Sequence, residues 1–547
     1  MLVSRLLTFP RTPWELDEFL FLQAVRKFEP LRHHPHPPGY PLFVFLGKVF
    51  HAFIPSTFAA LVALSIAACV IGWTALYRAF RNFIEDADVA AAAALLFYLS
   101  AGMLIHSPLA LADATAIMFL ALTFLCLESP VASAIFASAA IGCRPQFAVP
   151  LLPALAVALF VSLRTWRQRG IAIIVFTIVS LCWLIPLIHA TGGWNGFIDY
   201  EWNQARYVVA HDAAASRGSK TLLRVAARFL LRPWGSSITI AAVAILCAIG
   251  ALPLLRHSRR ILPLAIFTFF HLGFATAVMD PADAVRYALP ALPLFALAAV
   301  LGVRTLRISP WIGAAVLAAL SFWYVCPIVI DRVTTPSPIV AAARFIHTLP
   351  RDTVVLHQAG TRAHVDWLLA DHPRQFLGRS MPDGPAVMLI DGITDDMHAE
   401  TFSWRDSEAY RKMTRNFGRI ITVDPLLPEE RFVPLRGIHH LESAPDTSAW
   451  RWLGPDAALR LPALGKSRVA LTFRLSPDAP YDMNTVHIVV DGRDTGGVIV
   501  RKTRGTAVVP FGSEIEIRSA RSFKPDDVVH NRDKRELAVQ LLEVKQQ

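Results

Sequence analysis

Between residues 57 and 330 the chain is a succession of apolar runs, at about 57–77, 88–105, 109–128, 131–143, 145–163, 170–190, 236–256, 261–279, 287–303 and 310–330. A hydrocarbon core about 30 Å thick takes roughly 20 apolar residues as a helix, so most of these runs can span it. No water is there to satisfy backbone groups, and a run crossing singly must therefore be helical. Of the 547 residues, 54% are apolar and 17% charged, whereas soluble domains carry nearer a quarter charged. The expected architecture is a polytopic α-helical membrane protein of about ten spans.

The formal charge of +11 raises the question of a nucleic-acid partner. Residues 331–547 hold 29 Lys and Arg against 28 Asp and Glu, so the excess belongs to the apolar part. There it occupies short connections, at Arg78 and Arg81, at Arg164, Arg167 and Arg169, at Arg256, Arg259 and Arg260, and at Arg304 and Arg307. The alternate connections at 106–108 and 280–286 hold one Arg between them. Such asymmetry orients a protein among membrane lipids and does not bind phosphate backbones; no nucleic-acid partner is expected.

With the basic set cytoplasmic, residues 1–56, the 191–235 loop and everything after 331 lie on the outer side. Met1 to Trp14, interrupted by Arg5, Pro10, Arg11 and Pro13, is too short to cross and lacks the apolar core of a secretory signal. The six cysteines lie in or beside the apolar runs, none after Cys326, without CxxC or Cys/His spacing. They read as packing residues.

After Asp331 the pattern changes. Residues 331–430 alternate short strands (Thr353–Leu356, Ala386–Ile390, Arg419–Val423) with amphipathic helices (Pro338–Thr348, Ser407–Asn416), which predicts a small α/β domain. Residues 431–547 carry strand-like segments at Val469–Leu475, Thr485–Val490, Gly497–Arg501 and Glu514–Arg518, with turn chemistry such as Asp491-Gly492, which predicts a β-sandwich. In Trp450-Arg451-Trp452 the aromatics read as sandwich core rather than as sugar-stacking surface. Before residue 57 lies an outer loop with a juxtamembrane helix.

Two segments of that loop carry chemistry. In Trp14-Glu15-Leu16-Asp17-Glu18-Phe19 adjacent acids sit among aromatic and apolar residues, and burial there would raise a carboxyl toward the working range of a general base. The second is His33-His34-Pro35-His36-Pro37-Pro38-Gly39-Tyr40-Pro41-Leu42-Phe43. No GxGxxG, GxSxG or HExxH occurs, and Arg217-Gly218-Ser219-Lys220-Thr221 lacks the upstream glycine of a phosphate loop. Asp391, Asp395 and Asp396 read as a turn after a strand.

An Asp-Glu pair in the first outer loop, a His-Pro-Pro-Gly-Tyr-Pro-Leu-Phe run, many spans and a polar C-terminal part resemble the GT-C integral-membrane glycosyltransferases. The resemblance covers roughly residues 14–330 and points to the branch of protein O-mannosyltransferase-like and aminoarabinose-transferase-like proteins. It implies inverting transfer of a hexose or pentose from a polyprenyl-phosphate donor to a hydroxyl of a glycan, lipid or protein acceptor. The reaction would take place at the extracytoplasmic face, here of a bacterial inner membrane.

By that resemblance Asp17 and Glu18 are the catalytic pair, Asp17 as general base and Glu18 as its neighbour or understudy. Asp113, Arg286 in the Arg-Tyr-x-x-Pro run, His36 and Arg144 would serve the donor and its phosphate. A divalent cation, Mg or Mn, would sit on Asp17 and Asp113 if one is used. The residues alone leave other readings open: Asp113 as a helix-start carboxylate, Arg286 as a loop-closing partner of Asp280 or Asp283, and Arg144 as a snorkelling side chain.

Relatives carry a first span ahead of the catalytic loop; an even number of spans with both ends outside needs none before residue 56, unless an apolar segment precedes Met1. From other classes, ten apolar runs also suit a transporter or lipid flippase, which would show repeat symmetry. The polar part would equally suit an inactive scaffold that binds envelope polysaccharide.

Overall fold

The computed structural model describes the chain except residues 164, 212, 214–218, 378–384, 393–398, 406, 416–417, 426–429, 431, 443–449 and 530–532. Arg164, Arg217, Gly218, Asp395, Asp396 and the Asn416 end of the expected second amphipathic helix lie outside the described residues.

Every expected apolar run contains a helix. Among the described residues, six helical stretches are long and apolar enough to cross a membrane: Thr57–Ile84, Trp166–Ala190, Ser237–Arg256, Ser258–Val278, Pro281–Thr305 and Pro310–Ile346. Shorter apolar helices, Ala87–Tyr98, Ala112–Leu125, Pro130–Cys143 and Pro145–Val161, occupy the remaining runs, and Pro41–Phe53 precedes the first. The run at 88–105, expected as one span, is broken at Ser100 into Ala87–Tyr98 and Ala101–His106. Ser100 is extended (φ −62°, ψ 153°) and its hydroxyl donates to the Phe97 carbonyl at 2.8 Å, a local bond that competes with continuing the helix.

Ile173, Ile178 and Ile185 of one span and Ile238, Ile245 and Leu252 of another are exposed, which suits faces turned to acyl chains. Ser237–Arg256 and Leu292–Thr305 meet through Gly250 and Gly302: a methyl on the first would strike the Ala298 carbonyl, and one on the second the Leu246 carbonyl. Small residues let helix backbones approach this closely in lipid.

The described chain forms two compact units. One joins Met1–Ser337 with Arg405–Arg415, and the other comprises Pro338–Trp404 and Asn416–Gln547. The helix Glu408–Met413 therefore packs with the membrane helices although it lies between two strands of the second unit. It is tied to the last span: the Tyr410 hydroxyl donates to Asp331 Oδ2 at 2.8 Å, and Arg405 lies 3.6 Å from Asp331 Oδ1.

The second unit begins with the helix Pro338–Ile346 and a sheet of β1 (Val354–His357), β2 (Arg374–Phe376), β3 (Ala386–Asp391), β4 (Glu400–Ser403) and β5 (Ile420–Pro425). Its order is β2-β1-β3-β5-β4, with β1 parallel to both neighbours and β5 antiparallel to β3 and β4. Eight strands follow: β6 (Val433–Glu442), β7 (Trp450–Arg460), β8 (Arg468–Arg474), β9 (Met483–Val490), β10 (Arg493–Arg501), β11 (Gly505–Pro510), β12 (Glu514–Ser519) and β13 (Val539–Gln546).

These form one continuous antiparallel sheet, β10-β9-β12-β7-β13-β8-β11, with β6 on β7. A single core cluster takes Val486 and Ile488 from one half and Leu471, Phe473 and Val509 from the other, so the sheet folds over on itself as the two layers of the sandwich. Trp452 is buried in that core and Trp450 packs against it. Asp491-Gly492 is the two-residue turn that joins β9 to β10.

Candidate functional site

The helix Leu16–Arg26 opens with Asp17 and Glu18 in its first turn, where the positive end of the helix dipole favours carboxylates. Consecutive helical residues point about 100° apart, so two adjacent acids cannot share one face. Glu18 turns inward and is fully buried. Its Oε2 accepts the N–H groups of Trp14 (2.6 Å) and Glu15 (2.9 Å), and its Oε1 that of Ala110 (2.8 Å). Burial pushes its carboxyl up to about 7 while these three amides pull the other way. Glu18, expected beside Asp17 in the catalytic pair, instead closes the helix start and ties it to the segment before Ala112.

Asp17 faces the other way, into a cluster that holds the remaining expected residues. Arg286, in the short helix Ala284–Ala288, donates through Nη1 to Asp17 Oδ2 at 2.5 Å and through Nε to Asp113 Oδ2 at 2.9 Å. Asp113 lies in the first turn of Ala112–Leu125 and is also paired by Arg144 at its Oδ1. Arg144 caps the end of Pro130–Cys143 with only 2% of its side chain exposed, so it is an internal cation and not a snorkelling one. The Tyr287 ring lies under both guanidinium groups, at 5.3 Å from Arg144 and 5.7 Å from Arg286.

The proline-rich run delivers His36. Gly39 (φ +89°) has Leu187 Cδ1 2.7 Å from where a Cβ would stand, so both the turn and the close approach call for glycine. Tyr40 (φ 45°) then caps Pro41–Phe53. His36 Nε2 lies 3.2 Å from the Tyr40 hydroxyl, which also accepts from Gln146 Nε2 at 3.3 Å. Phe21 contacts both rings, and His36 Nδ1 stands 3.9 Å from Asp17 Oδ1.

Burial alone would raise Asp17, as its aromatic surroundings led one to expect. His36 and Arg286 outweigh it and hold the carboxyl well below the usual range. Burial keeps His36 itself below its ordinary value, against the pull of Asp17. The two carboxylates that would hold a divalent cation are bridged by one guanidinium, so a cation would have to displace Arg286 from both. Carboxylates already paired with guanidinium groups do not fit a cation site as they stand.

Among solved structures the chain is similar to ArnT from Cupriavidus metallidurans in two states. Bound to undecaprenyl phosphate, ArnT matches with a TM-score of 0.51 and 12% identity; in the apo state, with 0.53 and 13%. Both matches cover 77% of this chain and 96% of that one. The fold is GT-C-like. The chain is an integral membrane protein of that architecture. Arabinofuranosyltransferase AftD from Mycobacteria aligns over 99% of this chain and 58% of its own, at a TM-score of 0.35 and 12% identity. No family model and no curated protein matches the sequence.

In this GT-C-like frame the segment 405–415 adds a group that sequence reasoning missed. Arg415 donates to Asp280 Oδ2 at 2.7 Å and lies 3.2 Å from Asp283 Oδ2. Asp283 in turn stands 4.0 Å from Arg286 Nη1. The loop-closing salt bridge expected of Arg286 is present to Asp283, at its longest reach, and Arg415 adds a closer one to the same carboxylate and to Asp280. No motif announces Arg415; its partner Asp280 lies 135 residues earlier in the chain.

Proposed function

We propose that the chain transfers a sugar from a polyprenyl-phosphate donor to an acceptor hydroxyl at the extracytoplasmic face of a bacterial inner membrane. The observation that carries this reading is the single guanidinium of Arg286 shared between the buried carboxylate of Asp113 and the partly buried one of Asp17, within a GT-C-like fold. ArnT, of that fold, was solved with undecaprenyl phosphate bound.

The donor is a phosphodiester with one negative charge, and a second develops on the phosphate as the sugar leaves. Arg286, backed by Arg144, stabilises that second charge. In moving onto the phosphate, Arg286 gives up Asp17, which becomes a stronger base when it is needed. Asp17 then takes the proton of the acceptor hydroxyl, whose oxygen attacks the anomeric carbon as the bond to phosphate breaks, with inversion. Asp113 stays with Arg144 and keeps the arginine pair in place, while His36 and Tyr40 line the approach to Asp17.

This exchange has a pH signature. Free enzyme, with Asp17 held low by its cationic neighbours, keeps it ionised into the acid range. In the donor complex the lost Arg286 contact and the phosphate charge both raise it. The acid limb of kcat, which reports the complex, is expected at higher pH than that of kcat/KM, which reports free enzyme. Coincident limbs would count against the exchange.

Arg415 offers a second check. It neutralises Asp283, which would otherwise draw Arg286 away from Asp17. R415Q is expected to raise the donor KM by about tenfold, a change of roughly 1.4 kcal/mol, with a smaller effect on kcat. R415Q/D283N should recover most of the loss, because it removes both members of the pair.

The reaction itself is tested by incubating the purified protein with radiolabelled polyprenyl-phosphate hexoses and pentoses and locating the label. Label on an acceptor supports transfer. Counterflow of solute in liposomes without any transfer would overturn it in favour of a transporter.

A further inference from the structure

We infer that the second unit binds a divalent transition-metal ion of the zinc class between His347, Asp371 and His372. One ligand atom from each of the three lies within 4.8 Å of the others. His347 follows the helix Pro338–Ile346, and Asp371 and His372 precede β2, so the site would join the end of that helix to the sheet.

Two details point to a ligand rather than to chance proximity. His347 Nε2 lies 2.9 Å from the Leu368 carbonyl oxygen, which can only accept. Nε2 therefore carries a proton, which leaves Nδ1 as the nitrogen facing Asp371 Oδ2, at 3.6 Å. An imidazole fixed through its outer nitrogen by a carbonyl is the usual support of a metal-ligating histidine. His372 supplies the second detail. It is 4% exposed, and its buried Nδ1 has no hydrogen-bond partner. Its ring centre lies 5.4 Å from that of His347.

A plain His347–Asp371 ion pair accounts for less. Both side chains are substantially exposed (40% and 50%), where such pairs contribute little, and the buried nitrogen of His372 is left unexplained. Two imidazoles and one carboxylate suit zinc-class ions, with Zn–N and Zn–O bonds of about 2.0–2.2 Å that place ligand atoms roughly 3.4 Å apart. Three protein ligands leave a coordination position to water. The three residues belong to the second unit and share none with the Asp17–Arg286 cluster, so the proposal does not rest on the transfer reading.

The test is equilibrium dialysis of the full-length, chelator-stripped protein in detergent against Zn²⁺, with thermal unfolding alongside. Wild type is expected to hold one equivalent and to melt at higher temperature when loaded. H347A and D371N alter exposed side chains, and equal melting midpoints in chelator check their folding. They should bind Zn²⁺ about tenfold or more weakly, at least the cost of losing a supporting partner. D17N should bind like wild type. No saturable binding, or equal binding by wild type, H347A and D371N, would overturn the proposal.

Discussion

Asp17→Asn is expected to abolish measurable sugar transfer while the protein still folds. The amide oxygen of asparagine can accept from Arg286 Nη1 as Asp17 Oδ2 does, so the cluster keeps its shape. What disappears is the ability to take a proton, a contribution of about 10²–10⁴ in general-base catalysis. Transfer assays on detergent-purified D17N, matched to wild type by thermal midpoint, are the measurement. Turnover within a few-fold of wild type would place the base elsewhere. E18Q, by contrast, should act mainly on stability, since Glu18 spends both oxygens on backbone amides.

Arg286→Ala should cost both fold and function. It leaves Asp17 and Asp113, with side-chain exposures of 15% and 1%, short of a shared cation. Breaking a buried pair from one side costs about 3–5 kcal/mol, visible as a large fall in thermal midpoint. R286K separates the two effects. A lysine ammonium preserves the charge and much of the stability, but it lacks the planar fork that reaches two carboxylates, or two phosphate oxygens, together. Its transfer rate is expected to fall by about 10²–10³, comparable to removing one oriented donor from a charge-stabilising site. A lysine variant with wild-type activity would show that the phosphate does not need the fork.

The parts of this site that were legible in the sequence share one property: each sits in a local run whose order carries information. Asp17 follows Trp14, Arg286 precedes Tyr287 and Pro290, and His36 leads a proline turn. Adjacency misled at Glu18, because neighbours on a helix face different ways and a written pair says nothing of which acid meets the site. The rise expected of a carboxyl in this segment occurs at Glu18 and not at Asp17, for a similar reason. The aromatic neighbours of Asp17 are visible in sequence, whereas Arg286 comes from a distant helix. Arg415 and the His347, Asp371 and His372 group were illegible because they depend on contacts between segments far apart in the chain. Strands were easier. β3, β5, β8 and β9 lie within a residue or two of the strand-like segments that announced them, since short apolar runs bounded by turn residues are a local signal.

The excursion of residues 405–415 into the first unit means that the polypeptide leaves the helical body, comes back, and leaves again. Cutting after Ser337 would therefore not detach a passive appendage. It would strip Asp280 and Asp283 of Arg415, and the shortened protein would carry the Asp17–Arg286 cluster with one of its struts missing.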